Sequence, residues 1–170
     1  MCGVNERPII WITHSMGGLI VKKMLVEAYH SKEKCIRDIS VKTKAIIFMG
    51  TPHKGSPLAN IDEILRPIIL PSSEVDDLKY NSPMLRELNE NFLEFMNQVP
   101  LKVVSFAETK STTHHILGIE FHLFPSDSAN PDTGELFELP CKHEHIAKPK
   151  NRSLNDDFKD IKNFASGMIS

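Results

Sequence analysis

Pro8-Ile9-Ile10-Trp11-Ile12-Thr13-His14-Ser15-Met16-Gly17-Gly18 decides how this chain is read. Ile9 to Ile12 is an apolar, largely β-branched run of the kind that makes a fully buried strand. It stops at His14-Ser15-Met16-Gly17-Gly18, and helical spacing begins directly behind it. A strand, a tight turn with serine at its apex, then a helix is the layout of a nucleophile elbow. Gly17 fills the second glycine position of the G-x-S-x-G signature, and Thr13 stands in the first. A small side chain is required there because strand and helix approach closely.

Behind the turn, Leu19, Ile20, Val21, Met24, Leu25, Val26 and Ala28 leave only a narrow polar stripe of Lys22, Lys23, Glu27 and His30. A helix over Gly17 to Tyr29 with so thin a stripe packs against a sheet. Ser31 to Lys34 reads as a solvated connection. Lys44 to Met49 is a second buried-strand run, followed by the loop Gly50-Thr51-Pro52-His53-Lys54-Gly55-Ser56. Strand, helix and strand in that order predict a parallel crossover, with the loop at the carboxyl edge of the sheet. His53 in that loop reads as structural before catalytic.

Leu58 to Val99 is helical in pattern and broken by prolines, with a firm start at Ser82-Pro83 and an apolar stripe of Leu85, Leu88, Phe92, Phe95 and Met96. Leu101 to Ala107 is a third strand, ending at Glu108-Thr109, and Ile116 to Phe124 a further one. Pro125 to Thr133 is loop. A last helix runs from about Leu154 to Met168. The fold class is therefore α/β, a mainly parallel sheet with flanking helices.

A chain of 170 residues with 41% apolar and 25% charged residues fits one soluble-type domain with a real core. A net charge of −2 gives no reason to expect nucleic acid as a partner. Three cysteines without regular spacing do not make a disulfide framework. No run is long and apolar enough for a membrane helix, and no secretory or transit signal opens the chain. Eight histidines raise the question of a metal. The pairs His114-His115 and His143-x-His145 lack the spacing that places two ligands on one helix face, so no metal and no cofactor are expected.

Ser15, Glu108 and His143 follow the Ser…acid…His order of α/β hydrolases. Serine is a poor nucleophile unless an imidazole takes its proton, and a carboxylate behind the imidazole fixes its tautomer and stabilises its cation. The N–H of Met16 is the expected oxyanion donor. The elbow strand starts about eight residues into the chain, whereas that layout places several strands before it. Residues 1–170 therefore read as the C-terminal half of such a domain, with the N-terminal strands and the second oxyanion donor lying in a preceding half.

The run from Arg7 to Leu25 resembles the serine-active-site-containing hydrolases of animals, which are related to lipase-like and glycosylphosphatidylinositol inositol-deacylase-like enzymes. The likeness continues through Pro52-His53-Lys54-Gly55-Ser56, the Ser82-Pro83 helix, Phe106-Ala107-Glu108-Thr109, Asp127-Ser128-Ala129 and His143-x-x-Ile146-x-Lys148-Pro149. The resemblance implies Ser15 as nucleophile, His143 in preference to His145 as base, and Glu108 as acid, with Asp127 as the alternative acid. It further implies hydrolysis or acyl transfer on phospholipid esters: remodelling of phosphatidylglycerol, linked to cholesterol trafficking, at contacts between mitochondria and endoplasmic reticulum. The membrane surface would be reached through an N-terminal region. The rival from another class is a non-catalytic binding or scaffold module that keeps the elbow only for folding.

Overall fold

The computed structural model describes residues 7–55, 80–110, 112–113, 120–121, 127–148 and 167. All but residue 167 of the expected helix at 154–168, the apolar face at 58–65, the histidines at 114 and 115 and most of the strand at 116–124 lie outside them. Strand β1 (Ile9–His14) leads into helix α1 (Gly17–His30), helix α2 (Lys34–Lys42) and strand β2 (Thr43–Met49). Helix α3 (Pro83–Gln98) and strand β3 (Lys102–Glu108) follow. The two-residue strands β4 (Thr112–Thr113) and β5 (Glu120–Phe121) pair antiparallel with each other, apart from the main sheet. Strand β6 (Glu135–Leu139) and a 3-10 turn at His143–His145 complete the described elements.

The main sheet has the order β1-β2-β3-β6, and all three pairings are parallel. Its register decides where chemistry can gather. His14 pairs with Met49, Met49 with Phe106, and Phe106 with Phe137. The carboxyl ends of the strands thus stand in one row, and the residues just after them share one edge. Helices flank the sheet because a parallel strand needs a crossover to return to its starting edge.

Successive side chains of the central strands alternate between two buried faces, as period-two geometry requires. Ile46, Phe48 and Val103 face a core built with Leu25 and Val26 of α1 and Phe92, Phe95 and Val99 at α3. Ile47, Met49, Val104 and Phe106 face the opposite side, with Leu139 and Ile146. Each fully buried side chain of this size stabilises the fold by about 1.5–3 kcal/mol. Helix α3 begins as its sequence suggests: Ser82 Oγ accepts the Leu85 N–H at 3.3 Å, and Pro83 opens the first turn.

Strand β2 is buried from Ala45 onward, and β1, which pairs with β2 among the described residues, has Ile12 62% exposed. Three readings change. On α1 the polar stripe divides: Lys22 is fully buried, Ile20 is 65% exposed, and Lys23 pairs with Glu27 at 3.1 Å in solvent. The connection read at Ser31 to Lys34 runs directly into α2, and Glu135–Leu139, not marked as a strand from its sequence, adds β6 to the sheet. No described helix is long and apolar enough to cross a membrane.

Candidate active site

The site grows from the turn after β1. Ser15 has φ +52°, in the left-handed region that β-carbons disfavour by about 1–2 kcal/mol. Bonds on both sides hold it there. Its N–H donates to Met49 O at 2.9 Å, and its carbonyl accepts Gly18 N–H at 3.1 Å. Thr13, in the place of the first glycine, is buried and donates through Oγ1 to Ile47 O at 3.1 Å. That bond makes a threonine useful here, since it ties the elbow strand to its neighbour. The close approach falls on Gly18 rather than Gly17. A β-carbon on Gly18 would lie 2.1 Å from Thr51 Oγ1, whereas one on Gly17 would meet nothing.

Around the apex the structure brings Ser15, His143 and Glu108 together. His143 Nε2 is 3.0 Å from Ser15 Oγ, and His143 Nδ1 is 2.8 Å from Glu108 Oε1. A carboxylate only accepts, so Nδ1 carries the proton and Nε2 accepts from the serine hydroxyl. All three side chains are buried or nearly so. Glu108 is the last residue of β3, and His143 opens the 3-10 turn that follows β6. The row of strand ends explains why residues so distant in sequence meet.

The remaining candidates stand elsewhere. Asp127 accepts from Lys54 at 3.0 Å and from Tyr80 at 2.9 Å on the surface. Those bonds, Lys54 before Tyr80, hold its carboxyl below the usual range. His145 lies half-buried beside Glu144 at 3.6 Å. His53 is buried against Phe48, and its Nδ1 faces Lys22 Nζ at 3.3 Å. Met16 caps α1, and its N–H donates to no backbone carbonyl among the described residues.

One residue of the site was not singled out from the sequence. Gly50, directly after β2, has φ +58°, and a β-carbon there would lie 2.9 Å from His143 Nδ1 and 3.0 Å from Glu108 Oε2. It is the floor on which the imidazole and carboxylate rest. Only its place in the Gly-rich loop after a buried strand hinted at this. Glu108 Oε2, above that floor, is buried without a hydrogen-bond partner among the described residues. The carboxylate therefore spends its hydrogen bonding on His143 through Oε1.

No family model matches the chain. Protein SERAC1 from Bos taurus is 43% identical over 150 residues, and those from Mus musculus and Homo sapiens are 42% and 41% identical over the same length. Each match takes in 88% of this chain and 22% of the relative, so the chain spans about a fifth of the length of these relatives. Among solved structures, phospholipase PlaB from Legionella pneumophila overlays 65% of this chain and 24% of its own at TM-score 0.48 and 22% identity. The metagenomic carboxyl esterase MGS0156 overlays 89% of this chain and 50% of its own at TM-score 0.47 and 21% identity. Those overlaps are partial, and kinship rests on sequence. Over the matched residues this chain is homologous to SERAC1.

Proposed function

We propose that residues 1–170 carry the nucleophile, base and acid of a serine hydrolase or acyltransferase acting on phospholipid esters, as the C-terminal half of its α/β-hydrolase domain. The observation behind this reading is the unbroken line Glu108 Oε1, His143 Nδ1, His143 Nε2, Ser15 Oγ, with a strained elbow under the serine. In the first half-reaction Ser15 Oγ bonds to the ester carbonyl carbon while His143 Nε2 takes the hydroxyl proton. Glu108 stabilises the imidazolium through Nδ1–H. The carbonyl oxygen becomes an oxyanion at the Met16 N–H, where each donor is worth on the order of 3 kcal/mol. Collapse expels the alcohol, which takes the proton from His143, and leaves the acyl group on Ser15. Water then yields the fatty acid, or a second alcohol takes the acyl group.

Lipid as substrate draws on the SERAC1 homology and on the family resemblance together. The finer expectations rest on the resemblance alone: phosphatidylglycerol remodelling, cholesterol trafficking, and placement at contacts between mitochondria and endoplasmic reticulum. The second oxyanion donor and the membrane-facing surface belong in this proposal to the preceding part of a longer protein. The test is covalent labelling by a fluorophosphonate probe on protein expressed from its complete gene. Labelling should occur at Ser15 and vanish in Ser15→Ala and His143→Ala. An unlabelled, folded protein would leave the elbow as a folding device and favour the scaffold reading.

A further inference from the structure

His14 is the side chain next to the proposed nucleophile, and no step above uses it. It ends β1, so the row of strand ends places it beside the turn that carries His143. His14 Nε2 lies 3.3 Å from the carbonyl oxygen of His143, and the two imidazole rings stand 5.1 Å apart at 30°. A carbonyl only accepts, so His14 donates through Nε2–H whatever its charge. That carbonyl also accepts the Ile146 N–H at 3.4 Å, a long bond inside the 3-10 turn itself. His14 thus ties the turn to the elbow strand from outside. We propose that His14 is a positioning residue for the base, holding the His143 backbone and ring at the distance from which Nε2 reaches Ser15 Oγ.

The physical case is one of tolerance. A general base takes a proton directly from a donor atom within about 2.6–3.2 Å, and His143 Nε2 stands 3.0 Å from Ser15 Oγ. The turn carrying His143 is only three residues long and follows the short strand β6, so neighbours must set its position. The charge of His14 matters as well. The imidazolium that forms at His143 would face a second cation 5.1 Å away if His14 were protonated. Partial burial, then the His143 ring, lowers the His14 pKa; the bond to the His143 carbonyl, then Glu108, opposes this, and Lys148 adds a small further push downward. His14 is then a neutral donor at neutral pH.

This inference rests on Ser15 and His143 acting as nucleophile and base. Its test uses the complete gene product and the rate of fluorophosphonate labelling at saturating and subsaturating probe, for unmutated protein, His14→Gln and His14→Asn. The amide nitrogen of glutamine reaches where imidazole Nε2 sits, whereas that of asparagine reaches only the place of Nδ1. The maximal labelling rate of His14→Gln should stay within about twofold of the parent, and that of His14→Asn should fall about tenfold, with probe affinity little changed in both. Equal rates in both variants, or a loss confined to probe affinity, would overturn the positioning role. A parent protein that never labels would instead overturn the nucleophile reading beneath it. Circular dichroism of both variants separates a misfolded protein from a misplaced base.

Discussion

His143 and His53 are two buried histidines in loops at the same edge of one sheet, and their partners set them apart. His143 has a carboxylate at 2.8 Å behind it and a hydroxyl at 3.0 Å ahead. His53 has the Lys22 ammonium at 3.3 Å, which in turn donates to Asn89 Oδ1 at 2.6 Å and lies 4.9 Å above the Phe92 ring. Burial, then the neighbouring cation of Lys22, pushes the His53 pKa well below its ordinary value. One imidazole can take a proton and be stabilised as a cation. The other is held neutral and joins α1 to the loop after β2. Burial alone does not make a histidine a base; the charge behind it does.

Removing what distinguishes His143 should have the largest effect. Ser15→Ala and His143→Ala should each lower turnover by about 10⁴-fold or more, with the double variant little worse, because members of one catalytic unit are not additive. Glu108→Gln keeps the shape and removes the charge, so the lesion should be large, about 10³–10⁴-fold, since the tautomer is no longer fixed. Steady-state kinetics on a phospholipid ester would check all four proteins. Additive losses would show that the three side chains do not work together.

Gly50→Ala should come next. The added methyl meets His143 and Glu108 at about 3 Å, at a backbone position with φ +58°. The pair must shift away from Ser15, and a displacement near 1 Å can cost about 10²-fold in turnover. Turnover at the parent's level, with the protein still folded, would show that the floor yields without moving the base.

Lys22→Met tests the other histidine. Burial brings the Lys22 pKa from 10.5 down to about 7. Between those values the unfolded chain binds the proton that the folded one has released, so stability rises with pH across this window. The charge penalty is complete below pH 7 and gone above about pH 10.5. Methionine keeps the stem and removes the titration. Relative to the parent, the variant should therefore lose about 2 kcal/mol of unfolding free energy between pH 7 and pH 9, measured by denaturant titration. Parallel pH curves for the two proteins would mean that Lys22 keeps an ordinary pKa inside the fold.

These residues also show what the sequence could reveal. The elbow, β2, β3 and the capped start of α3 are legible because period, capping and turn chemistry are local. Ser15, Glu108 and His143 follow from chain order once the strand ends are known to align. Gly50 was hidden because its constraint comes from side chains 58 and 93 positions away. Burial of Lys22 was hidden because a lysine on a helical stripe looks solvated; only α3 and the loop after β2, brought over it in space, make it core. Strand β6 alternates Glu, Leu, Phe, Glu, Leu imperfectly and is held by pairing to β3 rather than by its own pattern.

The smallest effect should come from Asp127, which the sequence left beside Glu108 as a possible acid. The structure places it on the surface, between Lys54 and Tyr80, and Lys54 also meets Asp132 at 3.0 Å. Asp127→Asn should leave turnover within about twofold of the parent, because no reacting group depends on that charge. Its effect on stability should be about 0–1 kcal/mol, since an exposed ion pair is screened and Lys54 keeps a second carboxylate. The sign follows from the lowered carboxyl pKa: the contribution is present above the ordinary aspartate value and lost as pH falls through the folded one. Salt should weaken it further. A 10³-fold loss of turnover in Asp127→Asn, with Glu108→Gln active, would exchange the two acids and require the His143 turn to pivot away from β3 during the proposed reaction.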